Sequence, residues 1–314
     1  MDNSTLLRAI VADKQSSRQW SSTILDSTEF DKTILSYQSD AEAVWRHVRD
    51  RFAARDELYR IPYQFVEAPK LYAMDALVVA NPLLANAQVL TRVAELFVVF
   101  YLVVHYFDDH VEHRDKFYSK FAFDQSGDID SQRGAAPFSF MLVAFDIMAE
   151  ISNELPIKAV DQLKLMAQIR HLLVSQTRFF SLEKKLNIRA DEVIEIKQRQ
   201  VSGRSLAVLA SILAVLDDDA LSDVDFASLE QALVYVGSLT QITDDIRDLN
   251  LDKALRNANI ITALEEDVTA LTALYEEEAR LATEFLGKVY DAPAATAVLS
   301  LPFYPFLVIK RTAV

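Results

Sequence analysis

Two clusters of acidic residues, each following an apolar run, carry the residue types that could do chemistry in this chain. The clusters are Asp108-Asp109-His110-Val111-Glu112 and Asp244-Asp245-Ile246-Arg247-Asp248, the second extended by Asp252. Residues three and four positions apart share a helix face, so Asp108 and Glu112 are predicted to project together. The same spacing aligns Asp244, Asp248 and Asp252. Gathered carboxylates repel one another, and Mg²⁺, which prefers oxygen ligands, would relieve that repulsion. Two such faces opposed across an apolar cavity would hold several Mg²⁺ ions, which would in turn hold a diphosphate.

The first cluster has two explanations, a metal site or a solvated helix end. Acidic residues are common, so Asp108, Asp109 and Glu112 alone are weak evidence for a site. Acids at a helix C-terminus oppose the macrodipole, however, and a bound cation would offset that unfavourable arrangement. The second cluster is the stronger indication, because its like charges repeat along one helical stripe.

Both clusters resemble the metal-binding motifs of class I terpenoid synthases. The first resembles the aspartate-rich motif DDxx(D/E) of that family. The stretch from Gln241 to Asp248 resembles the second motif of chain-elongating prenyl synthases, and the Asp stripe also resembles the cyclase form (N/D)Dxx(S/T)xxxE. The resemblance implies Mg²⁺ as cofactor, with these ligands: Asp108, Asp109, Glu112, Asp244, Asp248 and Asp252. It implies that Asp245 is a further ligand or a nearby acceptor.

A third element of the resemblance is a basic residue ahead of the second cluster. Many cyclases place a diphosphate-sensing Arg four residues before a helix-breaking Gly, and Arg199 and Gly203 stand at that spacing. Arg can grip a diphosphate with two parallel hydrogen bonds. A mid-helix Gly loosens the helix, so a carbonyl could face a developing carbocation. The alternative is a surface Arg beside a kink. Lys253 and Arg311 are further candidates for diphosphate contact.

The resemblance implies a terpene cyclase that ionises a linear prenyl diphosphate, most simply farnesyl diphosphate, and releases a sesquiterpene hydrocarbon. Chain-elongating synthases carry a Gly-Gly-Lys-Arg-type element for a second diphosphate, and no such element occurs near Arg60-Ile61-Pro62. The usual C-terminal Arg-Tyr pair of cyclases is also missing, which suggests an outlying branch such as the fungal humulene-type synthases. A chain-elongating or head-to-head condensing synthase is the alternative within enzymes. A non-catalytic helical ligand-binding protein is the alternative from another class.

Composition predicts an all-α protein built as one helical bundle around an apolar cavity. Of the 314 residues, 51% are hydrophobic and only 5 are Gly and 8 are Pro, which favours long helices over a turn-rich sheet fold. The net charge of −14 argues against nucleic acid as a partner, because such binding needs Lys and Arg. The absence of Cys excludes disulfides. Charges interrupt the apolar runs and no signal peptide is evident, so we expect a cytoplasmic protein without membrane insertion; a homodimer remains open.

The elements that must position these residues are predicted from apolar periodicity. We expect a loosely attached segment over residues 1–40 and a helical catalytic domain over 41–314. Helices are predicted over 71–80, 83–107, 138–151, 158–186, 191–216, 226–250 and 257–289, with a loop over 123–137. Five aromatic residues either wall the pocket by cation–π contact or simply pack in the core: Phe100, Phe107, Phe179, Phe180 and Tyr235.

Overall fold

The computed structural model describes residues 36–55, 69–112, 127–157, 159–183 and 188–303. These residues form ten α-helices of at least one full turn and one π-helix, with shorter helical and 3₁₀ turns. In chain order they are α1 Gln38–Ala53, α2 Pro69–Ala80, α3 Ala87–Glu112, α4 Ile129–Glu154, α5 Ala159–Glu183, the π-helix Val193–Gly203, α6 Arg204–Ala214, α7 Phe226–Leu255, α8 Ile260–Ala263, α9 Val268–Leu286 and α10 Ala292–Leu299. Within these ranges the only extended pairing is an isolated bridge between Ile157 and Leu216. The all-α prediction is confirmed.

Aspartate side chains begin several of the helices. Asp225 accepts a hydrogen bond from the backbone N–H of Ser228 at the start of α7, and Asp267 accepts from Thr269 and Ala270 at the start of α9. Asp128 and Asp291 do the same for α4 and α10. Each satisfies backbone donors that the first helical turn leaves without an intrahelical partner. Part of the acidity of this chain therefore serves helix initiation rather than chemistry.

The chain divides into two compact units. Of the described residues, those within Tyr37–Leu173 and Ser211–Asp223 form the first unit; Ser36 and those within Val174–Ala210 and 224–303 form the second. In the first unit α1 buries one stripe at three- and four-residue spacing: Ala41, Val44, Trp45, Val48 and Phe52. This stripe packs with α2, α3 and α4, and the ring of Phe140 stacks on Phe52 and Tyr106. The prediction of a separate segment over residues 1–40 falls mostly outside the described residues.

The second unit is centred on α7, which packs against both the π-helix and α9. Its core combines residues from each of these elements: Val193, Leu239, Ile242, Ile246, Ile260, Ile261, Leu271, Tyr275 and Phe303. The π-helix and α7 approach closely at two glycines. A Cβ atom on Gly203 would lie 2.5 Å from the carbonyl oxygen of Val234, and one on Gly237 would lie 2.7 Å from Cα of Gly203. Only glycine fits at this crossing.

Two of the predicted boundaries are wrong. The loop expected over 123–137 is helical from Ile129 onward, because α4 begins there and continues through Pro137, and residues 123–126 lie outside the described ranges. Burial of Ala136, Phe140 and Ala144 outweighs the local preference of Gly and Pro for turns. The single helix expected over 257–289 is two helices, α8 and α9. Glu265 and Glu266 separate them with left-handed backbone angles, φ 56° and 62°.

Two helices, over Ala87–Phe107 and Ile129–Glu154, are long and apolar enough to cross a membrane by length and composition alone. Core helices of soluble proteins pass the same test, and most of the first helix is buried in its unit. Length and composition therefore do not distinguish a membrane span from a core helix here. From the sequence we expect no membrane span, because charged residues interrupt the apolar runs.

Candidate metal and diphosphate site

The second acidic cluster lies on α7, where burial sorts its carboxylates into two kinds. Leu239, Ile242 and Ile246 face the core of the second unit. Asp245 and Asp252 are turned into protein, with 1% and 9% of their surface exposed. Asp244 and Asp248 remain accessible, with side chains 40% and 36% exposed. The sequence pattern treats these aspartates alike, whereas the fold does not.

Asp245 is saturated with donors. Its Oδ1 lies 2.8 Å from Nζ of Lys197 on the π-helix and accepts a 2.8 Å hydrogen bond from Nε2 of Gln241. Its Oδ2 accepts a 2.7 Å hydrogen bond from the backbone N–H of Ile260. A carboxylate so enclosed has no oxygen directed toward solvent. Asp245 therefore holds together α7, the π-helix and the start of α8. Its role as a metal ligand or a nearby acceptor stays a prediction.

Lys197 is the basic partner in this buried pair. It is 12% exposed, and its Nζ also donates a 2.5 Å hydrogen bond to the carbonyl of Ala258. Burial alone would lower the pKa of Lys197, but the attraction of Asp245 outweighs it and holds the pKa above its ordinary value. The ammonium also lies 5.6 Å from the ring centre of Phe179. Lys197 is therefore a charged residue at all ordinary pH values.

Asp252 is held by an amide at the junction of α7 and α8. Nδ2 of Asn259 donates 2.8 Å hydrogen bonds both to Oδ2 of Asp252 and to the backbone carbonyl of Asp245. Burial raises the pKa of Asp252, and the hydrogen bond from Asn259 opposes that rise. Asn259 also caps α8 through the N–H of Ile261. The structure thus gives Asp252 a junction role and leaves its predicted metal contact a prediction.

Asp244 and Asp248 share one arginine. Arg247 forms a two-point contact with Asp248, Nε to Oδ1 at 3.1 Å and Nη2 to Oδ2 at 3.0 Å. The same Nη2 also contacts Oδ1 of Asp244. Although 40% of the Asp244 side chain is exposed, the protein packed around its carboxylate raises its pKa to about 6, with Arg247 opposing the rise and the charges of Asp248 and Asp245 adding to it. The accessible carboxylates therefore still repel one another with Arg247 in place.

These residues fit a divalent cation in a limited way. Among the described residues no group of three or more acidic or histidine side chains is arranged to hold a metal. Mg²⁺, however, commonly binds through one or two carboxylates and completes its shell with water and substrate phosphates. Asp244 and Asp248 match that pattern, and the Arg247 guanidinium already places a positive charge against both of them.

The first acidic cluster is partly described. Asp108, Asp109 and Glu112 occupy the last turns of α3, as the sequence predicted. Their side chains lie outside the described residues, so their metal binding stays a prediction.

The predicted diphosphate contacts have other partners in this structure. Nη2 of Arg199 donates a 2.6 Å hydrogen bond to Oε1 of Glu278, which is fully buried on α9. Arg199 also lies 5.6 Å from the ring centre of Tyr235. Lys253 pairs with Glu266 at 2.5 Å. Arg311 lies outside the described residues. The diphosphate roles of these three residues stay predictions.

Gly203 ends the π-helix, rather than interrupting an α-helix as predicted. The structure accounts for it by the close packing against α7, and a carbonyl directed at a carbocation stays a prediction. Of the predicted pocket aromatics, Phe100, Phe179 and Phe180 are buried and Tyr235 stacks on Phe285 at 6.0 Å. Phe107 is half-buried. These contacts agree with ordinary packing.

Comparison with known proteins identifies the fold. No family model matches the chain, and no curated protein matches it. A polyprenyl synthase from Caulobacter crescentus, solved with calcium and isoprenyl diphosphate, superposes with a TM-score of 0.58 at 15% identity, covering 87% of this chain and 96% of its own. A geranylgeranyl pyrophosphate synthetase from the archaeon Geoglobus acetivorans gives 0.55 at 15% identity, covering 86% and 98%. A geranyltranstransferase from Thermotoga maritima gives 0.55 at 13%, covering 87% and 99%.

The chain has the helical isoprenyl diphosphate synthase fold. This fold is related to the class I terpenoid fold expected from the two motifs, so the resemblance is confirmed at the level of architecture. The finer expectation of a fungal humulene-type cyclase is not shown, since these neighbours are prenyl synthases.

Sequence reasoning missed Lys197, Asn259 and the role of Arg247. Lys197 stands six residues before Gly203 in a mixed polar stretch, where nothing marks it as buried. Asn259 begins the short helix α8, which was predicted as the interior of a longer one. Arg247 had a usable signal, since a cation three residues after Asp244 lies on the same helix face as that carboxylate.

Proposed function

We propose that this chain is a divalent-metal-dependent prenyltransferase that ionises an allylic prenyl diphosphate and joins the resulting cation to isopentenyl diphosphate. One observation carries the proposal: on α7 the fold leaves Asp244 and Asp248 accessible while it buries Asp245 and Asp252. The pattern follows the chain-elongating form of the second motif. The solved neighbours include synthases that elongate prenyl chains, one of them crystallised with a divalent cation and isoprenyl diphosphate.

The residues of the site have separable tasks in this proposal. Asp244 and Asp248 would hold Mg²⁺, which when bound supplies the positive charge that stabilises a leaving diphosphate. Lys197 and Asp245 fix the π-helix against α7, which keeps the two accessible carboxylates in register. Asp108, Asp109 and Glu112 would form the other metal face, as the family resemblance implies. The hydrogen bond from Ser202 to Gln241 extends the fixed network from Asp245 to the end of the π-helix.

A terpene cyclase is the second candidate, and one sequence observation favours it. The Gly-Gly-Lys-Arg-type element that binds a second diphosphate in chain-elongating synthases does not occur in this chain. An enzyme without that element would act on farnesyl diphosphate alone and release a cyclic hydrocarbon. The elongating reaction remains the leading candidate, because the structural neighbours favour it.

Product analysis separates the two reactions. Purified protein is incubated with Mg²⁺ and either geranyl or farnesyl diphosphate, each with and without isopentenyl diphosphate. The products are identified by gas chromatography and mass spectrometry. A longer prenyl diphosphate that needs isopentenyl diphosphate is the expected result. A cyclic hydrocarbon formed without it would replace elongation by cyclisation.

Variants tie any product to the site. Asp244→Asn combined with Asp248→Asn should remove product formation, while Asp223→Asn, an exposed aspartate in the first unit, should leave it unchanged. No product from any substrate with folded protein and either Mg²⁺ or Mn²⁺ would overturn both reactions and leave a helical binding protein.

A further inference from the structure

Arg247 occupies an unusual position among the basic residues of the second unit. Lys197 is engaged by Asp245, Arg199 by Glu278 and Lys253 by Glu266. Arg247 contacts the two carboxylates that remain accessible, and it is itself 30% exposed. Its guanidinium is therefore a positive charge at the place where a metal ion would be held.

The geometry of these contacts makes the arginine and a metal ion competitors. A single nitrogen, Nη2, contacts both Asp244 and Asp248, so the two carboxylate oxygens lie within two hydrogen-bond lengths of each other. A divalent cation held by both Asp244 and Asp248 would take the place between the two carboxylates where the guanidinium nitrogen now lies. It would also place the two positive charges of the metal ion beside the positive charge of Arg247. Both cations cannot occupy the same space between the aspartates.

We propose that Arg247 is an internal counter-ion that a divalent cation displaces, and that the released guanidinium then binds the diphosphate. This inference rests on the proposed function, because it takes its ligands from that reaction. Arg247 adjoins Asp248 in the chain and lies three residues after Asp244, so it stays beside any metal-bound diphosphate. A planar guanidinium can bond two phosphate oxygens at once, which would replace its present hydrogen bonds to the aspartates.

Because Arg247 exchanges the aspartates for the diphosphate, the binding of the metal ion and the binding of the diphosphate are coupled. Metal alone must break the contacts of Arg247 and leave its charge near the bound cation, so it binds weakly. Diphosphate offers the released arginine a new anion, so metal and diphosphate each strengthen the binding of the other by the same factor. A site built in this way holds metal chiefly when substrate is present.

The opposing explanation is an ordinary surface ion pair. Exposed pairs on a helix contribute little to stability and are not tied to a ligand. In that case replacing Arg247 would change neither metal nor diphosphate binding. The two explanations differ in the expected pair of changes, because only a displaced counter-ion both weakens the binding of metal alone and strengthens the binding of diphosphate.

Binding measurements test the exchange directly. Mn²⁺ binding to the full-length protein is measured by electron paramagnetic resonance, without and with inorganic diphosphate, and diphosphate binding by calorimetry at saturating Mn²⁺. Arg247→Leu is compared with the unmodified protein. Arg280→Leu is the matched control, since Arg280 pairs with Glu277 and Glu284 on an exposed face of α9. Thermal unfolding confirms that each variant is folded.

Arg247→Leu should bind Mn²⁺ alone about tenfold more tightly and diphosphate in the presence of Mn²⁺ about tenfold more weakly, within the range of ordinary coupling. Arg280→Leu should change neither. Unchanged or weaker Mn²⁺ binding by a folded Arg247→Leu variant would overturn the counter-ion role, even if the protein makes prenyl products. The expected binding changes in a protein that makes no prenyl product would uphold the exchange and reject the prenyltransferase reaction.

Discussion

Each unit of this protein contains a buried carboxylate with several donors around it, Glu95 in the first and Asp245 in the second, and these two are neutralised in different ways. In the first unit Glu95 on α3 is inaccessible and receives hydrogen bonds from Arg92 at 2.6 and 2.7 Å. Arg51 lies 3.3 Å from it and His47 2.9 Å. In the second unit Asp245 receives one lysine, one side-chain amide and one backbone N–H.

The difference shows what each region is built to do. The cations around Glu95 also bind Glu150 and Glu154, so the network ties α1 to α3 and α4 by charge alone. Around Asp245 most donors are neutral, and the charges that remain belong to Asp244, Arg247 and Asp248. Glu95 therefore links three helices through charged partners. Asp245 instead fixes α7 through mostly neutral donors and leaves the neighbouring charged residues Asp244, Arg247 and Asp248 accessible.

Removing Glu95 should have the largest effect on stability. Glu95→Gln removes the buried anion that Arg51 and Arg92 share, and breaking a buried ion pair costs about 3–5 kcal/mol. Urea unfolding should show a loss of this size. Glu277→Gln, which breaks an exposed pair with Arg280, should change the free energy of unfolding by less than about 1 kcal/mol. Equal losses in the two variants would contradict the role assigned to burial.

Breaking the Asp245 pair should have a somewhat smaller effect, because neutral donors remain. Lys197→Met should cost about 3 kcal/mol, since Asp245 keeps only Gln241 and the Ile260 N–H. Asp245→Asn should cost a similar amount. The double variant should lose clearly less than the sum, because it leaves no uncompensated charge. Strict additivity in urea unfolding would show that the two side chains do not act as a pair.

The glycine crossing that supports the Asp245 region should tolerate no side chain. Gly203→Ala and Gly237→Ala place a Cβ against backbone atoms that cannot move aside, which should cost about 1–3 kcal/mol. Gly134→Ala on α4 meets nothing within 4 Å and should stabilise by about 0.5–1 kcal/mol through helix propensity. Thermal unfolding of the three variants should give two decreases and one increase.

Within the part of the chain that the structure describes, Asp75 on α2 is a carboxylate with neither basic partners, as around Glu95, nor neutral hydrogen-bond donors, as around Asp245. It has no hydrogen-bond or ion-pair partner among the described residues, and burial raises its pKa from 3.8 to about 8. The folded state therefore binds this proton more tightly than the unfolded state, so stability falls as pH rises from about 4 to about 8 and then levels off. Relative to the unmodified protein, Asp75→Asn should gain about 4 kcal/mol of stability between pH 5 and pH 9. A constant difference between the proteins across that range would contradict the shifted pKa.

The sequence predicted the fold class and the elements with strong apolar periodicity. Helices α2, α3 and α7 lie close to their predicted positions, because long runs with repeating apolar residues leave few alternatives. The site was predictable only in part. The stripe of aspartates follows from helical spacing, but the burial of Asp245 depends on Lys197, 48 positions earlier, and on the start of α8. Local patterns do not encode such tertiary contacts, and they likewise missed the break at Glu265 and Glu266.

The three donors that enclose Asp245 also affect how mutational scans of this protein should be interpreted. An alanine scan would report Asp245 as essential alongside Asp244 and Asp248, and activity alone would class all three as catalytic. The loss at Asp245 would arise from a loosened crossing of α7 and the π-helix, not from a missing ligand. Hydrogen exchange at the Ile260 amide would separate the two causes, because that proton is protected only while the Asp245 carboxylate is in place.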